Sequence, residues 1–157
     1  MLRITRLTDY ATVVLAALAQ APERVQTAPA LAERTRIAAP TVSKLLKQLQ
    51  RAGLVVSTRG LHGGYQLARP PSQISAASIL DALEGPLALT DCAAGRGHCD
   101  IERTCSVSHV WQRLNLAIRR SLYSVSLAEL AGLERTSSAH QPTLEREIKF
   151  ATRRAEP

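Results

Sequence analysis

The stretch IAAPTVSKLLKQLQRAGLV, residues 37–55, decides the fold of the first half of this chain. Apolar residues recur in it at the spacing i, i+3, i+4, i+7, and these are Val42, Leu45, Leu46 and Leu49. This spacing places them on one face of a helix. Pro40 suits the first turn of that helix, and Gly53 suits the position just past its end. The stretch therefore predicts an amphipathic helix with one face in a core.

The opposite face of this predicted helix is polar and contains no acidic residue. Its members are Thr41, Ser43, Lys44, Lys47, Gln48 and Arg51. In the major groove of DNA, Lys can read guanine, Gln can read adenine, and hydroxyl groups reach bases or phosphates. The candidate DNA-contacting residues of the helix are therefore Thr41, Ser43, Lys44, Lys47 and Gln48.

Two predicted helices precede this segment and a predicted hairpin follows it. The first helix has Thr8 as its N-cap, and the second covers residues 27–35. Residues 54–58 and 65–69 are typical of strands, and the glycine-rich turn between them carries Arg59. Three helices followed by a hairpin is the order of a winged helix-turn-helix. In that fold the third helix enters the major groove, and Arg59 would reach the minor groove or the backbone.

Positive charge is concentrated in the same half of the chain. The 157 residues carry a net charge of +7. Residues 1–69 hold ten Lys or Arg against three Asp or Glu, whereas residues 70–157 hold ten of each sign. The whole excess therefore lies where DNA binding is predicted, as expected of a surface that contacts a polyanion. A solubilising surface is the alternative explanation.

A longer helix is predicted in the second half of the chain. A short helix over residues 74–83 leads to a cysteine-containing loop, and the longer helix runs from about residue 106 to residue 123. Its apolar face comprises Trp111, Leu114, Ile118, Leu122 and Val125. This face either covers the core of the small domain or pairs with its copy in a second chain. We favour the second interpretation, a homodimer.

The predicted architecture is mainly α, with four segments along the chain. They are a winged helix-turn-helix domain (1–71), a short helix with the cysteine loop (72–105), a dimerisation helix with the following turn (106–133), and a flexible tail (134–157) with a short helix over residues 143–153. The apolar run near the N-terminus is too short to span a bilayer and lacks a cleavage site. We therefore expect a cytoplasmic protein without a membrane partner.

The three cysteines, Cys92, Cys99 and Cys105, lie within 14 consecutive residues. An odd number of thiols cannot all close into disulfides. Their spacing, Cys-x6-Cys-x5-Cys, lacks the Cys-x2-Cys pairs of compact zinc sites. Soft thiolates suit either zinc or an iron–sulfur cluster. An iron–sulfur cluster, zinc and redox-active thiols are all compatible with this pattern.

Two other classes of protein are weaker alternatives. A thiol redox enzyme is disfavoured because the sequence has no Cys-x-x-Cys, no phosphate-binding glycine loop and no Ser/His/Asp arrangement. A winged helix that binds only protein would leave the acid-free helix face and the confined positive charge without an explanation. The sequence therefore favours a protein that is not an enzyme and that binds double-stranded DNA.

The motif TVSKLLKQLQRAGLV…RGLHGGYQLARP, with LTDYA at residues 7–11 and VSLAEL at residues 125–130, resembles one family closely. It is similar to the iron–sulfur winged-helix transcription regulators that include IscR and NsrR, and most similar to the subgroup that regulates the SUF system. The resemblance covers residues 1–133. It implies a homodimeric repressor whose DNA affinity is controlled by a cluster, acting in iron–sulfur assembly or in the response to redox and nitric oxide signals. It also implies a two-iron or four-iron cluster on Cys92, Cys99 and Cys105.

The resemblance leaves the fourth ligand of the cluster open. The first gap between cysteines is six residues here, where IscR-like members commonly have five. Their ligand histidine corresponds to Ser108, and His109 lies one residue later, about 100° around a helix. His109 is therefore only an alternative ligand. The preferred ligand is Asp9 of the partner chain, because NsrR-like members supply a carboxylate from that position; a first-turn carboxylate that favours the helix dipole is the other explanation.

Overall fold

The computed structural model describes residues 4–95, 97–101 and 104–134. The elements along these residues are α1 (Arg6–Ala19), α2 (Ala28–Thr35), α3 (Ala39–Arg51), β1 (Val55–Thr58), β2 (Gly64–Leu67), a 3-10 turn (Pro71–Gln73), α4 (Ala76–Glu84), α5 (Asp91–Ala94), α6 (Ser108–Ser124) and α7 (Leu127–Leu130). The predicted class, mainly α with a winged helix-turn-helix, is confirmed. The predicted tail helix over residues 143–153 lies outside the described residues.

Helix α3 forms as its apolar spacing predicts. Val42, Leu45, Leu46 and Leu49 are completely buried. Burying a leucine side chain contributes about 1.5–3 kcal/mol, so this face is a large part of what holds the domain together. The helix ends where predicted, since Gly53 adopts a positive φ of 70°, which glycine accommodates without strain.

The start of α1 differs from the prediction. Thr5, not Thr8, is the N-cap, and its side chain accepts a hydrogen bond from the backbone N–H of Thr8 at 3.3 Å. Thr8 lies in the first turn and is buried, and its hydroxyl donates to Oε1 of Glu84 at 2.6 Å. The prediction of Thr8 as the cap was wrong because the hydroxyl of Thr8 has a distant partner that the local pattern does not show.

The wing consists of β1 and β2, paired antiparallel with Val55 opposite Leu67. Its sheet gains one further residue from the segment before α2. The backbone groups of Gln26 and Tyr65 exchange two hydrogen bonds, of 2.9 and 2.8 Å. A Cβ atom on Gly64 would lie 2.6 Å from the carbonyl oxygen of Gln26. Glycine at this position therefore allows the approach that fixes the wing to the helices.

The core of the winged helix extends into the second half of the chain. Ile74, Ile79 and Leu127 are buried in the same cluster as the apolar residues of α1 and α3. Helix α7 begins with a capping box in which Ser126 accepts from the N–H of Glu129 and the Glu129 side chain accepts from the N–H of Ser126. Because of this return to α1, the C-terminal end of α6 is anchored on the small domain. In the described residues no helix is long and apolar enough to cross a membrane.

Candidate DNA-binding surface and cysteine segment

The polar face of α3 points away from the core. Lys44 and Lys47 are exposed, and Thr41 and Ser43 are half-buried near the start of the helix. Gln48 is half-buried as well, and among the described residues its Oε1 is buried without a hydrogen-bond partner. Lys44 and the two hydroxyl groups are thus presented at the N-terminal half of α3 and Lys47 one turn later, while Gln48 turns its carbonyl oxygen inward.

The wing turn presents Arg59 beside an exposed apolar side chain. A hydrogen bond of 2.9 Å from the N–H of Gly63 to the carbonyl of Gly60 closes the turn. Gly60 has φ 110°, a conformation that favours glycine. Arg59 is exposed, and Leu61 is 97% exposed. The turn is therefore short and geometrically defined, and it places Arg59, exposed, at the tip of the wing.

A hydrogen bond sets the wing relative to α3. Nε2 of Gln50 donates to Oγ of Ser57 on β1 at 2.8 Å. This contact connects the two elements that are predicted to touch DNA. Gln50 was not among the predicted site residues, since a glutamine on an exposed helix face gives no signal of its partner.

The first turn of α1 and the start of α3 share an open cleft of about 310 Å³. Its lining includes Asp9, Val13, Arg36 and Thr41. Asp9 is exposed, and Arg36 occupies the turn between α2 and α3 with a left-handed φ of 57°. The predicted partner-chain ligand therefore lies beside a predicted DNA-contacting residue.

The sequence predicted that the whole cysteine segment is a loop. In the structure, part of the segment is helical. Cys92 lies in α5, a single helical turn, and is buried; Cys99 and Cys105 are half-buried. All three are free thiols. The Sγ of Cys92 lies 3.1 Å from Oγ1 of Thr90, within hydrogen-bond distance. A one-turn helix has too few residues to produce a periodic signal, which explains the missed element.

Two amide side chains of α6 hold the start of this segment. Nε2 of Gln112 donates to the carbonyl oxygen of Cys92 at 3.2 Å. Oδ1 of Asn115 accepts from the N–H of Leu89, also at 3.2 Å. Residues three apart on a helix share a face, so one face of α6 fixes the backbone before and at Cys92. The apolar pattern of α6 does not reveal these two polar contacts.

The donor atoms of the segment fit an iron–sulfur cluster by their chemistry, because free thiols are its usual protein ligands. Within residues 4–95, 97–101 and 104–134, however, no three Cys, His, Asp or Glu side chains form a group that could hold a metal ion. His109 is exposed on α6, and Ser108 is half-buried. The structure thus places Cys92 against α6, but it does not bring the three cysteines close enough together to bind one metal ion.

Helix α6 and its N-cap residue, Val107, leave a row of apolar side chains exposed. The exposed fractions are 52% for Val107, 45% for Val110, 41% for Trp111 and 45% for Leu114. Ile118 and Leu122, which the sequence analysis placed on the same face, are half-buried instead. The predicted apolar face is therefore divided between a part nearer the small domain and a part that remains uncovered.

Arg119 fixes the orientation of α6 on the small domain. It forms a bidentate pair with Asp81 of α4, at 3.0 and 3.4 Å, and also donates to the hydroxyl of Tyr123 at 3.1 Å. The hydrogen bond to Tyr123, followed by the contact with Asp81, raises the pKa of Arg119 above its ordinary value. The guanidinium is therefore a fixed link between α4 and α6.

Comparison with known proteins places these features in a family. Residues 4–132 match the Rrf2 family, described as an iron-dependent transcriptional regulator. An HTH-type transcriptional regulator of Synechocystis is 38% identical over 130 residues, which cover 82% of this chain and 87% of the relative.

Two solved structures have the same fold. The B. subtilis global cysteine regulator CymR has a TM-score of 0.65 and 28% identity, covering 86% of this chain and 100% of that chain. T. potens IscR has a TM-score of 0.64 and 28% identity, covering 92% of this chain and 96% of that chain.

These matches agree with the exposed lysines of α3, the basic wing and the location of the charge excess, and the relatives are named as transcription regulators rather than enzymes. The expected resemblance to regulators such as IscR is confirmed at the level of the family. The chain belongs to the Rrf2 family of DNA-binding transcription regulators.

Proposed function

We propose that this protein is a homodimeric transcription regulator whose affinity for double-stranded DNA is controlled by an iron–sulfur cluster held by Cys92, Cys99 and Cys105. Asp9 of the partner subunit is the preferred fourth ligand, with His109 as the alternative. The observation that carries the proposal is the set of three free thiols within 14 residues, the first of them fixed against α6. The description of the family as iron-dependent supports it.

The exposed row on α6 supports the homodimer. Val107, Val110, Trp111 and Leu114 recur at spacings of three and four, which is the seam of a helix pair. Leaving such a row in water costs about 25 cal/mol for each Å² of apolar surface. A second copy of α6 would cover it, because an isologous contact between two copies needs only one self-complementary surface.

The residues of the proposed site have separable tasks. When bound, an iron–sulfur cluster supplies a redox-sensitive cross-link between the thiolates that hold it. Since the described residues do not gather three ligands, binding requires the segment after Cys92 to rearrange toward it. Cys105 lies three residues before the start of α6, so both ends of the segment are connected to the helix that carries the exposed apolar row.

The shared cleft gives a route from this site to DNA. Asp9 and Thr41 line the same space between α1 and α3. If a cluster on the cysteine segment of the partner subunit binds Asp9, it would therefore lie close to the start of α3, the predicted recognition helix. Two recognition helices must meet successive major grooves about 34 Å apart, so a small change in their relative orientation changes affinity strongly. Lys44 and Lys47 would contact the major groove, and Arg59 the minor groove or the backbone.

Reversible thiol oxidation is the second candidate for how the regulator is controlled. It is favoured by the ungathered, free thiols and by the solved oxidised form of S. aureus CymR, a structural neighbour at 28% identity. Zinc bound by the same thiols is the related alternative, because zinc also prefers thiolate ligands.

One experiment separates these candidates. The protein is purified without oxygen, and its visible spectrum, iron, acid-labile sulfide and zinc are measured on one sample. We expect broad visible absorption with matching iron and sulfide, and a change in affinity for operator DNA when a chelator removes the iron. Protein that remains colourless and free of iron and sulfide after anaerobic reconstitution would exclude the cluster. Zinc in that sample, or a DNA affinity that reverses with oxidant and reductant, would then identify the alternative.

A further inference from the structure

The first cysteine of the segment is held differently from the other two. Cys92 is 8% exposed, whereas Cys99 and Cys105 are half-buried. Its backbone carbonyl accepts the hydrogen bond from Gln112 at 3.2 Å. This bond uses the main chain of Cys92 and not its sulfur, whose neighbour is Oγ1 of Thr90 at 3.1 Å, so the backbone is fixed to α6 without engaging the thiol.

Asn115 holds the same segment from one turn further along α6. Of all the residues of α6 it is the one that is buried, with 5% exposure, although its neighbours Leu114 and Leu116 are exposed. A buried amide requires hydrogen-bond partners, and Oδ1 of Asn115 accepts from the N–H of Leu89. Apolar burial alone would not place a polar side chain at the centre of this contact.

We propose that Gln112 and Asn115 are positioning residues that keep Cys92 fixed on α6 while the segment carrying Cys99 and Cys105 changes its arrangement. This inference rests on the proposed role of the three cysteines as ligands, and it deepens that role by assigning Cys92 as the anchored member of the set. A residue that is fixed on α6 moves together with that helix. Since α6 also carries the exposed apolar row, a displacement of Cys92 would move the proposed dimer interface.

The test uses the metal-free protein, in which each thiol reports on its own surroundings. A buried thiol reacts with iodoacetamide only when its segment opens locally. The bond from Gln112 to the carbonyl of Cys92 stabilises the closed arrangement, so its loss increases the open population. In Gln112→Met we expect Cys92 to react about five-fold to ten-fold faster than in the wild type, the change that one lost hydrogen bond produces.

Mass spectrometry of digested samples gives separate rates for the three cysteines, so Cys99 and Cys105 serve as internal controls. Their rates should stay unchanged in Gln112→Met. Arg113→Met alters the exposed next residue of α6 and should leave all three rates as they are. Asn115→Leu removes the acceptor for Leu89 and should also accelerate Cys92.

An unchanged Cys92 rate in both Gln112→Met and Asn115→Leu would overturn the positioning role. Equal acceleration of all three thiols would also overturn it, since that result means general loosening of the fold. Failure of the proposed cluster would instead appear as absent iron and sulfide in the wild type, with the alkylation result unaffected. If the cluster is present, Gln112→Met should lose iron to a chelator faster than Arg113→Met does.

Discussion

The hydroxyl of Thr8 donates a 2.6 Å hydrogen bond to Oε1 of Glu84, although 76 residues separate them in the chain. The backbone N–H of Thr5 donates to the same oxygen at 2.9 Å. These bonds fix the first turn of α1, which carries Asp9, to the end of α4, from which the chain continues to Cys92. The carboxylate of Glu84 thus joins the start of α1 to the end of α4, eight residues before Cys92 along the chain.

The pH dependence of stability should report this contact. The hydroxyl of Thr8 and the N–H of Thr5 lower the pKa of Glu84 below its ordinary value of 4.5. A carboxylate with a lowered pKa in the folded state stabilises the protein above about pH 4.5, and this contribution is lost as the pH falls through the lowered value. Glu84→Gln should therefore be less stable than the wild type at pH 7, by at most about 1 kcal/mol because the side chain is exposed.

Thermal unfolding at pH 7 and near pH 3 measures this difference for both proteins. The difference in stability between the wild type and Glu84→Gln should be smaller near pH 3 than at pH 7. A gap of equal size at both pH values would show that the charge of Glu84 does not contribute.

Substitution of Lys44 should reduce specificity for the operator. Lys44 is exposed near the start of α3, where side chains of a recognition helix reach base edges. Lys44→Ala should weaken operator binding by about 1–3 kcal/mol and weaken binding to unrelated duplex less. Fluorescence anisotropy with both duplexes at fixed salt provides the comparison. Arg120→Ala, which removes an exposed charge on α6, is the control, and equal losses on both duplexes would argue against base contact by Lys44.

Substitution of Arg59 should change the salt dependence of binding. A wing guanidinium that contacts the DNA backbone releases about one counterion, so Arg59→Ala should reduce the slope of log K against log salt by about 1. The measurement is a titration of affinity over several salt concentrations. A slope identical to that of the wild type would remove Arg59 from the interface.

Loss of one thiol should abolish cluster binding. Cys99→Ser replaces a soft ligand with a hydroxyl group, which iron–sulfur clusters bind poorly. We expect the anaerobically reconstituted variant to lack visible absorption and stoichiometric sulfide. Ser106→Ala, a change at an exposed position in the same segment, is the matched control. Full iron and sulfide in Cys99→Ser would contradict the assignment of the ligands.

The oligomeric state should depend on one side of α6. Leu114 and Leu116 are 45% and 53% exposed, but they point about 200° apart around the helix. Leu114→Glu should produce a monomer because it places a charge in the proposed seam, whereas Leu116→Glu should remain dimeric. Sedimentation at several protein concentrations distinguishes the two. A Leu114→Glu protein that is dimeric like the wild type would place the interface elsewhere.

Much of the winged helix could be predicted because its signals are local. Val42, Leu45 and Leu49 reveal their shared face by spacing alone, and Gly53 marks the end of the helix by a backbone conformation that other residues rarely adopt. The candidate site was less predictable. Gln112 and Asn115 look like ordinary polar positions of a helix, and α5 is too short to have a period.

The sequence by itself determined the order of the elements, the buried face of α3, the glycine turn of the wing and the location of the positive charge. Each depends on residues a few positions apart, where helix and strand geometry dictate which side chains share a face. Only the tertiary structure decided that Thr8 meets Glu84, that Gln26 pairs with Tyr65, and that Gln112 holds Cys92. These partners are distant in sequence, and a donor or acceptor acquires one only when packing of the apolar faces brings two segments together.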